Sequence, residues 1–239
     1  MAAIFKRICL VIPCYNEESR LDLAVYQKFS GSIHFLFVDD GSSDGTRNLL
    51  EKEASGFASV LNLDRNSGKA EAVRTGMMHL KTMPGFSEIE FAGFWDADLA
   101  TPLEEVRNML SFRDAVCPDA DAVFGSRIYR LGGVIRRGRT RHLLSRVFCF
   151  LFRTLYGIET YDSQCGAKIF RKEVLEKAFA EPFVSRWIFD VEIILRLKDR
   201  ALVEYPVRRW ADVKGSKVMK FGSAVVILRD MFKLWKKYV

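Results

Sequence analysis

Apolar and polar positions alternate in blocks along the first half of the chain, and the blocks carry two different periods. Short apolar runs at 8–13, 33–38, 59–63, 90–95 and 122–125 have the length and flanks of buried strands. Between them, segments 18–29, 43–53, 68–81 and 102–114 read as helices. Ser43 or Asp44 is placed to cap the second, and Pro102 opens the last. This alternation predicts an α/β domain whose mostly parallel sheet is covered on both faces. In such sheets ligands bind beyond the carboxyl ends of the strands. Three polar clusters fall there: Tyr15-Asn16-Glu17 after the first run, Asp39-Asp40-Gly41-Ser42 after the second, and Asp96-Ala97-Asp98 after the fourth.

The rhythm breaks in the second half. Arg130, Arg136, Arg137, Arg139, Arg141 and Arg146 gather around the start of a very apolar helix predicted over 143–156. A strand at 167–170 and the acidic pair Asp190 and Glu192 follow. The last segment, 221–239, has apolar residues at 221, 225, 228, 232 and 235, with Arg229, Lys233, Lys236 and Lys237 among them. That is a basic amphipathic helix, suited either to the core or to an anionic membrane surface. No repeat, low-complexity stretch or linker interrupts the chain. The expected division is one catalytic-sized domain over 1–217 and a C-terminal helix over 218–239.

Composition narrows the partners. The 239 residues carry a formal net charge of +7, which favours an anionic partner such as a nucleotide, a lipid phosphate or a membrane surface. No nucleic-acid role is expected, because the positive charge lies beside apolar surface rather than among interleaved aromatic platforms. The five cysteines are scattered without a Cys-x-x-Cys pair, the pattern of reduced thiols in a cytosolic setting. No run approaches the roughly 18 apolar residues of a membrane span, and the start shows no signal-peptide pattern. A peripheral protein on the cytoplasmic face of a membrane is therefore expected. Oligomeric state stays open, a homo-oligomer included.

The clusters define the chemistry. Two carboxylates at i and i+2 on a strand end would point the same way. Asp96 and Asp98 would then share a hard divalent cation, Mg²⁺ or Mn²⁺, on a diphosphate. A lone pair of this kind is also a common solvated turn; its place in a row of strand-end clusters favours the metal. Asp40 is placed to accept from a base N–H or a ribose hydroxyl, and Asp44 to cap a helix. Asn66-Ser67-Gly68-Lys69-Ala70 lacks the first glycine and the Ser/Thr of a phosphate loop. Lys69 at a helix start still suits an anion. Arg127, Arg141 and Ser145 offer charge-assisted bonds to a phosphate monoester, with Phe148, Phe150, Leu151 and Phe152 beside them for an apolar tail. Asp190 and Glu192 read either as core-edge residues or as active-site carboxylates. The run from Lys214 to Lys217 reads either as a surface turn or as a loop closing on diphosphate.

Taken together, these motifs resemble the family 2 inverting glycosyltransferases of the GT-A fold, a Rossmann-like α/β architecture. More closely, the chain resembles the dolichyl-phosphate β-glucosyltransferases and polyprenyl-phosphate hexose synthases. The likeness runs from Val11-Ile12-Pro13-Cys14-Tyr15-Asn16-Glu17-Glu18 to Lys214-Gly215-Ser216-Lys217. It includes Asp162-Ser163-Gln164-Cys165-Gly166-Ala167-Lys168 and Arg186-Trp187-Ile188-Phe189-Asp190-Val191-Glu192. The resemblance implies a UDP-sugar donor and a polyprenyl or dolichyl phosphate acceptor. It implies nucleotide contacts from Pro13, Tyr15, Glu17, Asp40, Lys69 and Asp96, and a diphosphate loop at Lys217. Asp96 and Asp98 would hold the metal, Arg127, Arg141 and Ser145 the acceptor phosphate, and Asp162 or Asp190 would orient sugar or acceptor. Mannose-transferring relatives commonly carry a glutamine two residues after the second aspartate, where this chain has Ala100. A GDP-mannose donor, a sugar-hydroxyl acceptor needing a base at Asp190 or Glu192, and a non-catalytic nucleotide-sugar binder are the alternatives.

Overall fold

The structure, a computed structural model, describes residues 7–212 and 223–239. In chain order its main elements are β1 (Ile8–Cys14), α1 (Leu23–Phe29), β2 (His34–Asp39), α2 (Thr46–Leu49), β3 (Ser59–Asn62), α3 (Lys69–His79), β4 (Phe91–Trp95), α4 (Glu104–Val116) and β5 (Ala122–Ser126). Then follow β6 (Val134–Arg136), α5 (Arg139–Tyr156), β7 (Ala167–Arg171), α6 (Leu175–Phe179), α7 (Phe189–Arg196), β8 (Leu202–Pro206), β9 (Arg209–Ala211) and α8 (Ser223–Tyr238). The chain forms two compact units. One joins Met1–Leu99 to Gly166–Pro182; the other joins Ala100–Cys165 to Phe183–Val239.

In the first unit the strands lie in the order β3-β2-β1-β4-β7. All neighbours are parallel except β7, which runs antiparallel against β4. Strands β1, β2 and β4 are buried almost throughout, as expected of parallel strands covered on both faces. Tyr26 of α1 packs edge-on against Phe35 and Phe37 of β2, with ring centroids 5.3 and 5.0 Å apart.

Helix starts differ from those predicted, for local reasons. Helix α1 begins at Leu23 rather than 18, because the Glu17 carbonyl accepts from the Arg20 and Leu21 N–H groups in a turn. The Asp22 side chain then caps the helix by accepting from Val25 N–H. Asp44 accepts from both the N–H and the hydroxyl of Thr46 (3.0 and 2.6 Å), so α2 starts there and not at Ser43.

In the second unit β5 pairs in parallel with β8, and β6 with β9. Helices α5, α7 and α8 share an apolar core of Phe152, Val191, Leu195, Ile227, Met231 and Leu234, among others. Strands β6, β8 and β9 are short and half-exposed, so no apolar run marked them. Asp190 and Glu192 lie on helix α7. Two residues apart on a helix is about 200° of rotation, so the pair does not share a face.

Candidate functional site

Strands β2, β1 and β4 are parallel neighbours, so the polar clusters that follow them come out on one edge of the sheet. Backbone and side chains tie these clusters together. Asn16 adopts a left-handed φ of 54°; its N–H donates to the Ser42 hydroxyl (3.0 Å), and its side-chain oxygen accepts from Ser43 N–H (2.9 Å). Glu17 N–H donates to Thr46 Oγ1 at 2.8 Å, and the Glu17 carboxylate accepts from Arg20 Nη2 at 2.5 Å. Gly41, with φ +62°, lies where a Cβ would strike the backbone of Arg65 and Asn66. Pro13 and Tyr15 flank this junction, both half-buried.

Asp40 is 2% exposed. Its two carboxylate oxygens accept from the N–H groups of Ser67 and Gly68 at 2.7 and 2.8 Å. Those bonds fix the loop that launches α3, and with it the root of Lys69. The Lys69 ammonium meets Asp96 Oδ1.

Asp96 is the first residue after β4. Strand geometry ends at Trp95, and Asp96–Leu99 forms a turn in which Leu99 N–H donates to the Asp96 carbonyl (3.2 Å) and Leu99 has φ 52°. The strand-alternation argument for the Asp96–Asp98 pair therefore does not apply: the two carboxylates are carried by a turn. Two neighbours shape that turn. Asp96 N–H donates to the Gly166 carbonyl at 3.0 Å, and a Cβ on Gly166 would overlap the Asp96 carboxylate. From α1, the buried Tyr26 hydroxyl donates to the Ala97 carbonyl at 3.2 Å. Burial, then the ionisable groups of Cys14, Asp98, Asp96 and Glu17 around it, pushes the Tyr26 pKa well up. Tyr26 was not foreseen; in the sequence it is one more apolar-face residue of a helix.

The second unit has its own polar centre. Arg127 follows β5 and is 4% exposed. Its N–H and Nε donate to Asp162 Oδ2 (3.0 and 2.5 Å), and its Nη2 to Asp162 Oδ1 (2.7 Å). Burial alone would raise the Asp162 carboxyl, but Arg127, helped by Arg137, outweighs it and brings the pKa to about 2. Glu204 of β8 accepts from the Tyr161 and Asp162 N–H groups (2.8 and 2.9 Å) and from the Thr160 hydroxyl (2.8 Å). Arg146 lies 3.9 Å from the centroid of the Tyr161 ring. The His142 pKa is lowered by burial and by the charges of Arg137 and Arg146, against a pull from Asp162. Ser145 is half-buried on α5, and Arg141 belongs to the first turn of that helix. Lys217 lies outside the described residues. Asp190 is buried in the first turn of α7. Glu192 accepts from Val184 N–H (2.7 Å), Arg196 Nη2 (2.9 Å), the Tyr238 hydroxyl (2.8 Å) and Lys237 Nζ (3.5 Å). Glu192 therefore fastens α8 to α7.

A mostly parallel, helix-flanked sheet with an acidic edge is the α/β architecture of the GT-A fold. The family model for glycosyl transferase family 2 matches residues 9–179, and the chain belongs to that family. It is 31% identical to a dolichyl-phosphate β-glucosyltransferase from Drosophila melanogaster, over 97% of this chain and 75% of the relative. It is also 31% identical to polyprenol monophosphomannose synthase from Mycolicibacterium smegmatis, over 84% of this chain and 77% of the relative. Among solved structures, glucosyl-3-phosphoglycerate synthase from Mycobacterium tuberculosis, in complex with Mn²⁺, UDP and glucosyl-3-phosphoglycerate, superposes with a TM-score of 0.63. The identity is 20%, over 95% of this chain and 77% of that one.

Proposed function

We propose that the protein transfers a hexose, glucose in the first place, from a UDP-sugar to a polyprenyl or dolichyl phosphate with inversion, giving a β-linked lipid-phosphate sugar. The observation that carries this reading is the edge on which Asp40 seats Lys69 against Asp96. The names of the relatives support a lipid-phosphate acceptor, and that of the Drosophila melanogaster relative supports glucosyl transfer.

A divalent cation fits the residues present. Asp96 and Asp98 supply hard oxygen donors, and the Lys69 ammonium already stands on Asp96 as a cation. When bound, Mg²⁺ or Mn²⁺ supplies neutralisation of charge on the leaving diphosphate. The rest is the chain's own work. Pro13, Tyr15, Glu17 and Asp40 hold the nucleoside, and Lys69 meets phosphate oxygens. Lys217 belongs to a further diphosphate contact. Arg141 and Ser145 bind the acceptor phosphate. Arg127 gives its Nε and Nη2 to the ionised Asp162, a pair with no net charge, so the acceptor phosphate rests with Arg141 and Ser145.

A phosphate monoester has a second pKa of about 6, so the nucleophile is ionised near neutrality and no strong base is required. Asp162, held near 2 with both oxygens engaged, orients Arg127 rather than taking a proton. Glu192 is engaged by four donors, which weighs against the hydroxyl-acceptor alternative. Asp190 is left to orient sugar or acceptor. Catalysis then rests on positioning and charge stabilisation.

The acceptor is a lipid, and no helix among the described residues is long and apolar enough to cross a membrane. We therefore assign α5 and α8 to peripheral docking on the cytoplasmic face. Helix α8 has three sides. Ile227, Met231 and Leu234 are buried in the core, Leu228, Phe232 and Trp235 are exposed, and Arg229, Lys233, Lys236 and Lys237 occupy the remainder. Helix α5 exposes Leu143, Leu144, Val147 and Phe150.

The test is a panel of UDP- and GDP-sugars with polyprenyl phosphate and Mn²⁺ or Mg²⁺, reading nucleotide release and the lipid product. UDP-glucose should give the fastest turnover and EDTA should stop it. D98N should lose about a hundredfold, equivalent to roughly 2.7 kcal/mol of barrier. Full activity in EDTA, or nucleotide release with no lipid-linked sugar, would overturn the reading. A mannosyl donor is the second reading, favoured by the likeness to polyprenol monophosphomannose synthase, and GDP-mannose in the same panel decides it.

A further inference from the structure

Lys69 is the first residue of α3, and its side chain turns to Asp96 although both are partly open to water, 41% and 35% exposed. Ion pairs of that exposure hold weakly, so the contact is easily exchanged. The root of the lysine, by contrast, is fixed. Gly68 takes a φ of 91° into the helix, and its N–H and that of Ser67 are held by the buried Asp40. All adjustment is left to the four-carbon stem and its ammonium. The backbone that carries its partner carboxylate is fixed as well, with the Asp96 N–H on the Gly166 carbonyl and the neighbouring Ala97 carbonyl on Tyr26.

We propose that Lys69 is a built-in competitor of the divalent cation. In the nucleotide-free protein its ammonium occupies the Asp96 carboxylate that the ion needs; when ion and nucleotide diphosphate arrive together, it exchanges Asp96 for phosphate oxygens. This rests on the reading of Asp96 as a metal ligand. The physical reason is charge. An ammonium and a divalent cation on one carboxylate repel strongly at contact distance, and Asp96 and Asp98 together bring only two negative charges to the site. A diphosphate adds the negative charge that lets both cations stay. Ion and nucleotide binding are then coupled, and the coupling is reciprocal. Free ion binds poorly, nucleotide tightens it, and Lys69 is the group through which a large part of the tightening is exerted.

The experiment is Mn²⁺ binding to the full chain, read from the free-ion electron paramagnetic resonance signal with and without UDP, with folding checked by circular dichroism. Without UDP, K69Q should bind Mn²⁺ at least threefold more tightly than the unsubstituted protein. UDP should strengthen Mn²⁺ binding less in K69Q than in the unsubstituted protein, and K69R should stay close to the unsubstituted protein in both respects. Mn²⁺ affinity without UDP that is unchanged or weaker in K69Q would overturn the competition. D96N serves as the separate control on the underlying reading. If D96N binds Mn²⁺ as well as the unsubstituted protein, Asp96 is not a ligand and that assignment falls, whatever K69Q shows.

Discussion

At the scale of single residues, Asp96 and Asp98 owe their setting to groups far away in sequence. Tyr26 and Gly166 hold the turn that carries them. The Tyr26 hydroxyl is buried and bonds the Ala97 carbonyl, so Y26F leaves that carbonyl without its partner. A loss of about 1 kcal/mol in folding stability is expected, together with a several-fold weaker Mn²⁺ affinity as the turn loosens. Urea denaturation and Mn²⁺ titration measure the two; a stability loss with unchanged affinity would mean the turn keeps its shape without Tyr26. The acidic pair was legible in the sequence because its residue types and its place after an apolar run are local facts. Its supports were not. A tyrosine on a helix face and a glycine after Cys165 carry no local sign of what they touch.

At the scale of elements, α8 shows how far an amphipathic pattern goes. The spacing at 228, 232 and 235 marked an apolar side correctly, yet that side is the exposed one. The side that packs is Ile227, Met231 and Leu234, anchored further by the Glu192 bonds to Lys237 and Tyr238. The helix is therefore part of the second unit's core and presents a second apolar stripe outward. Deleting it would damage folding, so point substitutions are the proper probe. F232S with W235S should leave the thermal midpoint nearly unchanged while reducing binding to anionic vesicles at least tenfold. Binding of the unsubstituted protein should weaken with salt, since each basic residue near such a surface contributes about 1 kcal/mol. Vesicle binding untouched by the double substitution would remove α8 from the docking surface.

At the scale of the whole molecule, the buried Arg127–Asp162 pair ties stability to acidity. Asp162 titrates at about 2 in the fold, below its ordinary value of 3.8. A depressed carboxyl stabilises the fold above its unfolded pKa, and that contribution is lost as pH falls through the folded one. Denaturation midpoints should therefore drop between pH 4 and pH 2. D162N takes the counter-charge away from a buried guanidinium, so it should cost about 3–5 kcal/mol at neutral pH and flatten the acid slope. An unaltered slope in D162N would assign the acid loss to other carboxylates. The sequence treated Arg127 as an acceptor contact and Asp162 as a separate group that would orient sugar or acceptor. Nothing local joins two positions 35 residues apart.

The sequence by itself determined the alternating elements, the parallel sheet and the strand ends where acidic side chains would collect. These follow from short-range patterns: apolar runs, caps, and the rule that parallel strands deliver their carboxyl ends to one edge. Tertiary structure alone decided which polar groups are paired. It set Asp40 on the loop before Lys69, Lys69 on Asp96, Asp162 on Arg127 and Glu192 on the last turn of α8. Each of those charges looked equally available in the chain. A charge finds its partner through contacts between segments remote in sequence, and a buried one must find it; no local pattern encodes those contacts.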